Sequence, residues 1–371
     1  MSGPSFEEIK EALNLRAEEI CRRYAPEGRK NGSYWMARNP ARADAHAGSY
    51  FVRLRAPFIY EDRANGEKGD LIKMIAAASG FPGDMKRGRA EALAFLGWKA
   101  DDGVTPQERA ARLEKLKAQR NAAEQKAAEE DKRDTNSAFA LWLKAQKLTG
   151  RSFTGSLADV YFKSRGIDLT RDLLAEGRAL PGAVRFFNSH DYRLADGGKI
   201  ALPCLISLMS GADGRPAAVH RIWLAPDGRG KAVLPEPEVN KVRKIWPRIS
   251  GKQAVIRLSK GDSGITPEEA GRQGLLTPVI ITEGVEDGLA AMLACPEHRV
   301  WAAGSLGNLK NVPPLPCVDA LIVCQDNDWG KPQAQALFNS SIAALRRSFQ
   351  TVSVARSWIG KDVNDLLAGE K

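Results

Sequence analysis

Three acidic residues follow two short apolar runs in the last quarter of the chain. Glu283 follows the run at 278–282, and Asp326 and Asp328 follow the run at 320–324. Both runs are rich in Val and Ile, which is typical of strands buried on both faces. Ligands of an open α/β sheet bind at the carboxyl ends of its strands, so these carboxylates are expected to converge. Because carboxylates repel each other and hard oxygen ligands suit Mg²⁺ or Mn²⁺, the pattern predicts a site for one of these cations.

Each acidic cluster has a simpler explanation when it is considered alone. Asp326-Asn327-Asp328 is a common loop composition, and Glu283-Gly284 after a strand can begin a helix. The position of both clusters at the ends of buried-type strands favours the metal site.

The two clusters resemble the motifs of the Toprim domain, which bacterial-type primases, topoisomerases and some nucleases share. That family has Glu-Gly after its first strand and Asp-x-Asp after a later strand, as at Glu283-Gly284 and Asp326-Asn327-Asp328. The resemblance implies an α/β Toprim domain over residues 278–371. It also implies that Asp326 and Asp328 hold the metal, and that Glu283 completes the active site as a ligand or a proton-transfer group.

A further acidic motif lies near the end of the chain. The segment 361–367, KDVNDLL, resembles the acidic ending of this kind of domain. Asp362 is accordingly either a fourth metal ligand or a helix cap, and both interpretations stay open.

A strongly basic stretch precedes the acidic motifs. Residues 215–260 contain eleven Lys or Arg and three acidic residues, and Trp223 and Trp246 lie among them. Such a stretch is either a solvated face or a surface for a phosphate backbone and stacked bases.

The same stretch begins with a motif of its own. The pattern D-G-R-x-x-A-x-H-R-x-x-L at 213–224 resembles the segment that precedes Toprim in primases and forms part of their template and nucleotide groove. By that resemblance, Arg221, Lys231 and Arg257 are expected to bind nucleic acid or nucleotide.

The N-terminal part has a different pattern. An amphipathic helix is predicted over 5–23, strands over 33–38, 48–54 and 56–62, and a helix that begins after Asp70. Together with G-D-L-I-x-x-I at 69–75, this order resembles the zinc-ribbon domain at the front of bacterial primases.

The zinc ligands of that domain are missing here. Residues 24–98 contain no cysteine, and His46 is their one histidine. One such ligand cannot form a structural zinc site, so the sequence predicts a degenerate ribbon without zinc.

The chain between these parts is rich in charge. Residues 99–138 contain no aromatic residue, and residues 108–133 carry eight basic and six acidic side chains. A solvated helix that links two domains is favoured over a coiled coil, because heptads are lacking. Four parts are therefore expected: a degenerate zinc-ribbon-like domain at 1–98, a charged helical linker at 99–150, a primase-type core with a basic groove at 151–277, and the Toprim domain at 278–371.

Composition narrows the class of protein. With 371 residues, 43% hydrophobic residues and 27% charged residues, the chain is predicted to be a multidomain α+β globular protein. A net charge of +10 suggests a polyanionic partner. The five cysteines form no C-x-x-C pair, which favours free thiols in the reducing cytoplasm. No apolar run reaches the length of a membrane span, and the N-terminal residues do not resemble a signal peptide.

These expectations combine into one functional hypothesis. The resemblance implies a DNA primase-type nucleotidyltransferase that makes short RNA primers with Mg²⁺ or Mn²⁺. Its partners would be single-stranded DNA and nucleoside triphosphates, and a separate replicative helicase is compatible with it. Two alternatives stay open: a metal-dependent nuclease with the same carboxylates, and an inactive DNA-binding accessory protein.

Overall fold

The computed structural model describes residues 3–31, 33–41, 50–62, 66–101, 103–194, 196–235, 241–249, 252–327 and 330–356. The chain divides into two compact units, residues 1–130 and 131–371. His46 lies outside the described residues.

The first unit packs helices against a small antiparallel sheet. Ile9, Leu13, Trp35, Val52 and Ile75 belong to its buried core. Its described strands follow the order β1-β2-β3-β4-β5. The elements are α1 (Phe6–Leu15), α2 (Ala17–Tyr24), β1 (Arg29–Asn31), β2 (Tyr34–Ala37), β3 (Tyr50–Arg53), β4 (Tyr60–Asp62), β5 (Glu67–Gly69), α3 (Leu71–Ala78) and α4 (Met85–Leu96).

The single helix predicted over 5–23 is divided at Arg16. This residue has φ −113° and ψ 23°, and its guanidinium lies 4.5 Å from the ring centroid of Phe95. Leu13 and Ile20 are buried on either side of the break. Because the apolar spacing continues through the break, periodicity alone did not reveal it.

The predicted start of α3 is confirmed. The Asp70 carboxylate accepts a hydrogen bond from the backbone N–H of Lys73 at 3.0 Å. This contact satisfies an N–H that has no partner within the helix.

The predicted helical linker is also observed. Helix α5 (Pro106–Lys144) runs for 39 residues. In the first unit, Lys117 pairs with Glu7 at 2.9 Å. In the second unit, Ala138 and Trp142 are buried. The charged sequence is therefore solvated over most of its length and apolar only where α5 joins the second core.

The second unit is built on one large sheet. Its described strands follow the order β10-β9-β8-β11-β13-β12-β14-β15, with β7 beside β8 and β6 beside β7. Strands β13, β12, β14 and β15 are parallel, whereas β11 is antiparallel to both β8 and β13. The elements are β6 (Gln146–Lys147), α6 (Gly150–Phe153), α7 (Leu157–Ser164), a π-helical turn (Thr170–Leu174), β7 (Val184–Arg193), β8 (Lys199–Gly211), β9 (Pro216–Trp223), β10 (Arg243–Trp246), β11 (Ala254–Arg257), α8 (Pro267–Arg272), β12 (Thr277–Thr282), α9 (Val285–Ala294), β13 (Arg299–Ala302), a 3₁₀ helix (Leu306–Asn311), β14 (Val318–Gln325), α10 (Pro332–Leu345) and β15 (Thr351–Arg356).

The two faces of the antiparallel strands pack into two different hydrophobic cores. Leu205 and Ile222 share a core with helices α7 and α9. Ile206 and Val219, which lie in the same two strands, pack instead with Trp142 of α5. Successive side chains of a strand point to opposite faces, so adjacent residues of β9 lie in different surroundings.

The parallel strands with their helices form an α/β domain within a multidomain α+β protein, as expected. No helix of the described residues is both long enough and apolar enough to span a membrane.

Candidate active site

Two of the predicted acidic residues, Glu283 and Asp326, line the same pocket. In the parallel pair β12–β14, Ile281 is opposite Val323, so β14 ends at Gln325, one residue beyond the level of Thr282, where β12 ends. The next residues, Glu283 and Asp326, line one pocket whose other lining residues are Leu306, Leu309, Cys324, Gln325, Ala334, Gln335 and Phe338. The carboxyl ends of adjacent strands thus bring together residues that are far apart in sequence.

Backbone hydrogen bonds fix the loop that carries Glu283. Its carbonyl accepts from the N–H of Gly304 at 2.9 Å, and the Thr282 carbonyl accepts from Ala303 at 2.8 Å. The Thr282 hydroxyl donates to the Gly284 carbonyl at 2.8 Å. The Glu283 side chain therefore projects from a well-defined turn between β12 and α9.

Asp287 is a further acidic residue near this pocket, and the sequence analysis did not single it out. It lies in the first turn of α9 and is 8% exposed. A Cβ atom on Gly284 would lie 2.9 Å from its Oδ2, so glycine allows the carboxylate to approach the turn. A signal was available, because Asp287 lies four residues after Glu283, in the first turn of the helix that follows it.

Cys324 forms part of the wall of the same pocket. Burial, together with the charges of Asp287, Cys295 and Asp326, raises the pKa of Cys324 to about 12. Cys324 is therefore a neutral thiol in the pocket wall.

The donor set fits a hard cation only in part within the described residues. There, no three acidic, histidine or cysteine side chains converge closely enough to hold one ion. Glu283 and Asp326 supply carboxylate oxygens, which Mg²⁺ prefers. Asp328 and Asp362, the two other predicted ligands, lie outside the described residues.

Lys231 lies next to helix α9. It follows the Asp227-Gly228 turn, where Gly228 has φ +73°, and it pairs with Leu224 in a β-bridge. Its Nζ lies 2.8 Å from Oε1 of Glu286, in the first turn of α9.

The partners of Lys231 were also missed by the sequence analysis. Oε1 of Glu286 accepts a second hydrogen bond, from the Tyr161 hydroxyl of α7, at 2.7 Å. Although burial opposes ionisation, Lys231 and Tyr161 lower the pKa of Glu286 to about 2. Glu286 is therefore a buried carboxylate that stays charged.

Arg221 lies on the other face of β9. Its guanidinium carbon is 5.0 Å from the ring centroid of Trp223 and 5.9 Å from that of Trp246. Its Nη1 lies 3.5 Å from Nε2 of His190, whose pKa is lowered by burial and by the Arg221 charge. A cation among aromatic rings is thus half-buried on this face.

Arg257 has a third environment. Its Nη1 pairs with Glu268 of α8 at 2.5 Å, and its Nη2 donates to the Gly211 carbonyl at 2.8 Å. Arg221, Lys231 and Arg257 thus have different immediate partners.

The fold of the C-terminal part agrees with the family comparison. The model of the Toprim domain matches residues 278–370, and the model of a domain of unknown function, DUF7146, matches residues 132–256. No curated protein matches the sequence.

Three primase fragments are among the solved structures that match this chain. A DNA primase domain from Pseudomonas aeruginosa is 14% identical with a TM-score of 0.37, over 63% of this chain and 74% of that chain. The primase fragment of the bacteriophage T7 primase-helicase is 12% identical with a TM-score of 0.33, over 61% and 75%. The RNA polymerase domain of the Mycobacterium tuberculosis primase DnaG, in complex with double-stranded DNA, is 12% identical with a TM-score of 0.34, over 63% and 76%.

Residues 278–370 thus form a Toprim domain, as the acidic motifs predict.

Proposed function

We propose that this protein is a primase-type nucleotidyltransferase that makes short RNA primers on single-stranded DNA. The proposal rests on one observation: Glu283 and Asp326 line the same pocket, at the carboxyl ends of adjacent parallel strands of a Toprim domain. Acidic residues at that place suit chemistry on phosphate groups when a divalent cation is present.

In the proposed reaction, the 3′-hydroxyl of a ribose attacks the α-phosphate of a nucleoside triphosphate. A phosphodiester bond forms, the bond to the β-phosphate breaks, and pyrophosphate leaves. Glu283 takes the hydroxyl proton or serves as a ligand. Mg²⁺ or Mn²⁺, held by Glu283 and Asp326 with Asp328 and Asp362 as further ligands, would supply charge neutralisation and a lower pKa for the attacking hydroxyl.

The basic residues are assigned separate roles in this proposal. Lys231 lies beside α9 and would bind the triphosphate. Arg221, half-buried among Trp223 and Trp246, would contact the template strand, because phosphate and bases suit a cation with aromatic neighbours. Arg257 would bind phosphate only by exchanging its contact with Glu268.

The test is a primer-synthesis assay with the full chain, single-stranded DNA, labelled ribonucleotides and Mg²⁺. Labelled products that grow one nucleotide at a time, and that require template, are expected. Shortened DNA without labelled product would instead identify a nuclease. Binding without either product would identify an accessory protein.

A further inference from the structure

Glu286 holds a charge where solvent is nearly excluded. Its side chain is 5% exposed, whereas that of its partner Lys231 is 32% exposed. A buried charge is costly unless it is paired and hydrogen-bonded, and Lys231 and Tyr161 meet both requirements at 2.8 Å and 2.7 Å. The Glu286 carboxylate is therefore buried, whereas the ammonium of Lys231 is partly exposed to solvent.

The three partners come from three separate elements. Glu286 lies in the first turn of α9, Tyr161 in α7, and Lys231 at the end of the loop that follows β9. Only the tertiary fold brings them together, and they meet within one helical turn of Glu283.

Two cations lie close to the acidic start of helix α9. Glu283 and Asp287 flank Glu286 in sequence, so Lys231 is an ammonium that offsets an acidic helix start. Arg243 lies on the same face of the sheet as Ile222, to which it is directly opposite, and its side chain is exposed. Two cations next to carboxylates allow a polyphosphate to approach a site that would otherwise repel it.

We propose that Glu286 is a positioning residue that holds Lys231 for the triphosphate of the incoming nucleotide. The Tyr161 hydroxyl holds the Glu286 carboxylate in place, and this carboxylate in turn binds one N–H of the Lys231 ammonium. The remaining N–H groups of Lys231 can then donate to phosphate oxygens. The inference deepens the proposed function and rests on it.

A purely structural ion pair is the competing explanation. It would tie the loop after β9 to α9 and contribute to folding, but nucleotide affinity would not depend on it. The two explanations differ in the affinity for nucleotide and in the coupling between Glu286 and Lys231.

The test measures binding of a fluorescent ATP analogue with Mg²⁺ and, separately, KM and kcat for primer synthesis. Lys231→Met should weaken nucleotide binding about tenfold, because a charged hydrogen bond is removed. Glu286→Gln should weaken it by a smaller factor, because the amide keeps the shape and loses the charge. In both variants KM should rise more than kcat falls.

The coupling between the Lys231 and Glu286 substitutions distinguishes the two explanations most clearly. When Lys231 is already Met, Glu286→Gln should change the dissociation constant no further. Lys231→Arg should restore part of the affinity, because it keeps a cation at the same place. Tyr161→Phe, which removes only the hydroxyl, gives a milder variant should Lys231→Met or Glu286→Gln fail to fold.

Lys252 provides a matched control. It pairs with Asp131 at 2.7 Å, and its side chain is 30% exposed, similar to Lys231. Lys252→Met should therefore leave nucleotide affinity unchanged.

The inference is overturned if wild-type protein binds nucleotide and makes primers while Lys231→Met and Glu286→Gln bind with unchanged affinity. It is also overturned if the two substitutions act additively. A wild-type protein that binds nucleotide and makes no primer would contradict the proposed function instead, and the binding experiment would still decide the role of Glu286.

Discussion

His220 is a buried histidine on β9 whose ionisation is expected to make the stability of the protein depend on pH. His220 is 1% exposed on β9, and neither ring nitrogen has a hydrogen-bond partner among the described residues. Burial lowers its pKa from 6.5 to about 4; the charge of Glu286 opposes this shift, and those of Arg243, Lys231 and Arg221 add to it. In the unfolded chain the imidazole takes up a proton near pH 6.5, and in the folded chain only near pH 4.

Stability is therefore expected to fall as the pH is lowered through this window. Between pH 7 and pH 5 the contribution of His220 to the free energy of unfolding should drop by about 2 kcal/mol. The contribution of His220 is measured by denaturant unfolding of the wild type and of His220→Phe at both pH values. The two proteins share every other titrating group, so the difference between their losses of stability is due to His220. Parallel losses of stability in the two proteins would show that His220 does not contribute.

Binding of single-stranded DNA should depend on salt through the basic residues. Changing Arg221 and Arg257 together to Ala should weaken binding and lower the log–log salt slope by about 0.7 for each phosphate that is no longer neutralised. Fluorescence anisotropy at several salt concentrations measures both quantities. If the double variant is folded and binds single-stranded DNA with unchanged affinity, the basic stretch is only a solvated face and not a DNA-binding surface.

Arg257 can be tested by itself, because its partner is known. Its guanidinium pairs with Glu268, so binding to a phosphate requires this acid to be exchanged. Glu268→Gln removes the competing charge and should strengthen DNA binding. Unchanged affinity would leave Arg257 as a link between β11 and α8.

At the scale of elements, the turn after β13 supports the acidic site. Gly304 has φ +79°, a region that favours glycine, and its N–H donates to the Glu283 carbonyl at 2.9 Å. Gly304→Ala should cost about 1 kcal/mol of stability and lower activity, because the turn and Glu283 must shift.

Gly307 is the matched control for this substitution. It lies in the 3₁₀ helix that follows, and a Cβ there would meet no atom within 4 Å. Gly307→Ala should retain near wild-type stability in denaturant unfolding. Equal decreases in stability in both variants would contradict a special role of the Gly304 turn.

The elements around the acids could be predicted because their signal is local. The runs at 278–282 and 320–324 are strands, extended by one or two residues at their ends, since Val and Ile favour buried strands in any context. The contacts of the basic residues could not be predicted in the same way. Tyr161 and Glu286 are 125 residues apart in sequence, and no local pattern indicates such a contact.

The local sequence pattern also does not show which face of each strand packs against which helix. Strand alternation places Arg221 and His220 on opposite faces but does not tell which face meets α9. Arg221, Lys231 and Arg257 were expected in one groove from the family resemblance alone, and their immediate partners in the structure could not be foreseen.

At the scale of the whole molecule, the first unit is predicted to bind no zinc. Residues 24–98 contain no cysteine and a single histidine, which is too few ligands for a structural site. Metal analysis of the purified chain should find far less than one zinc per molecule. One tightly held equivalent that survives dialysis would contradict the degenerate-ribbon interpretation.

The second unit joins the basic and acidic parts in one continuous sheet. Strand β11 pairs with β8 on one side and with β13 on the other, so the antiparallel and parallel strands share their backbone hydrogen bonding. This continuity supports the proposal that nucleotide binding and chemistry occur in one unit.

The most direct test of the acidic site is the rate of primer synthesis by Asp326→Asn, with Glu283→Gln as its companion. Asn keeps the size of the side chain but removes the charge that would hold Mg²⁺. Asp319→Asn, on the exposed start of the same strand, is the matched control. The account predicts a decrease of at least about a hundredfold for Asp326→Asn, because the charge stabilisation that a metal supplies is worth roughly several kcal/mol. Folding and DNA affinity should be retained, and Asp319→Asn should match the wild type. Primer synthesis by Asp326→Asn at the wild-type rate would contradict the account.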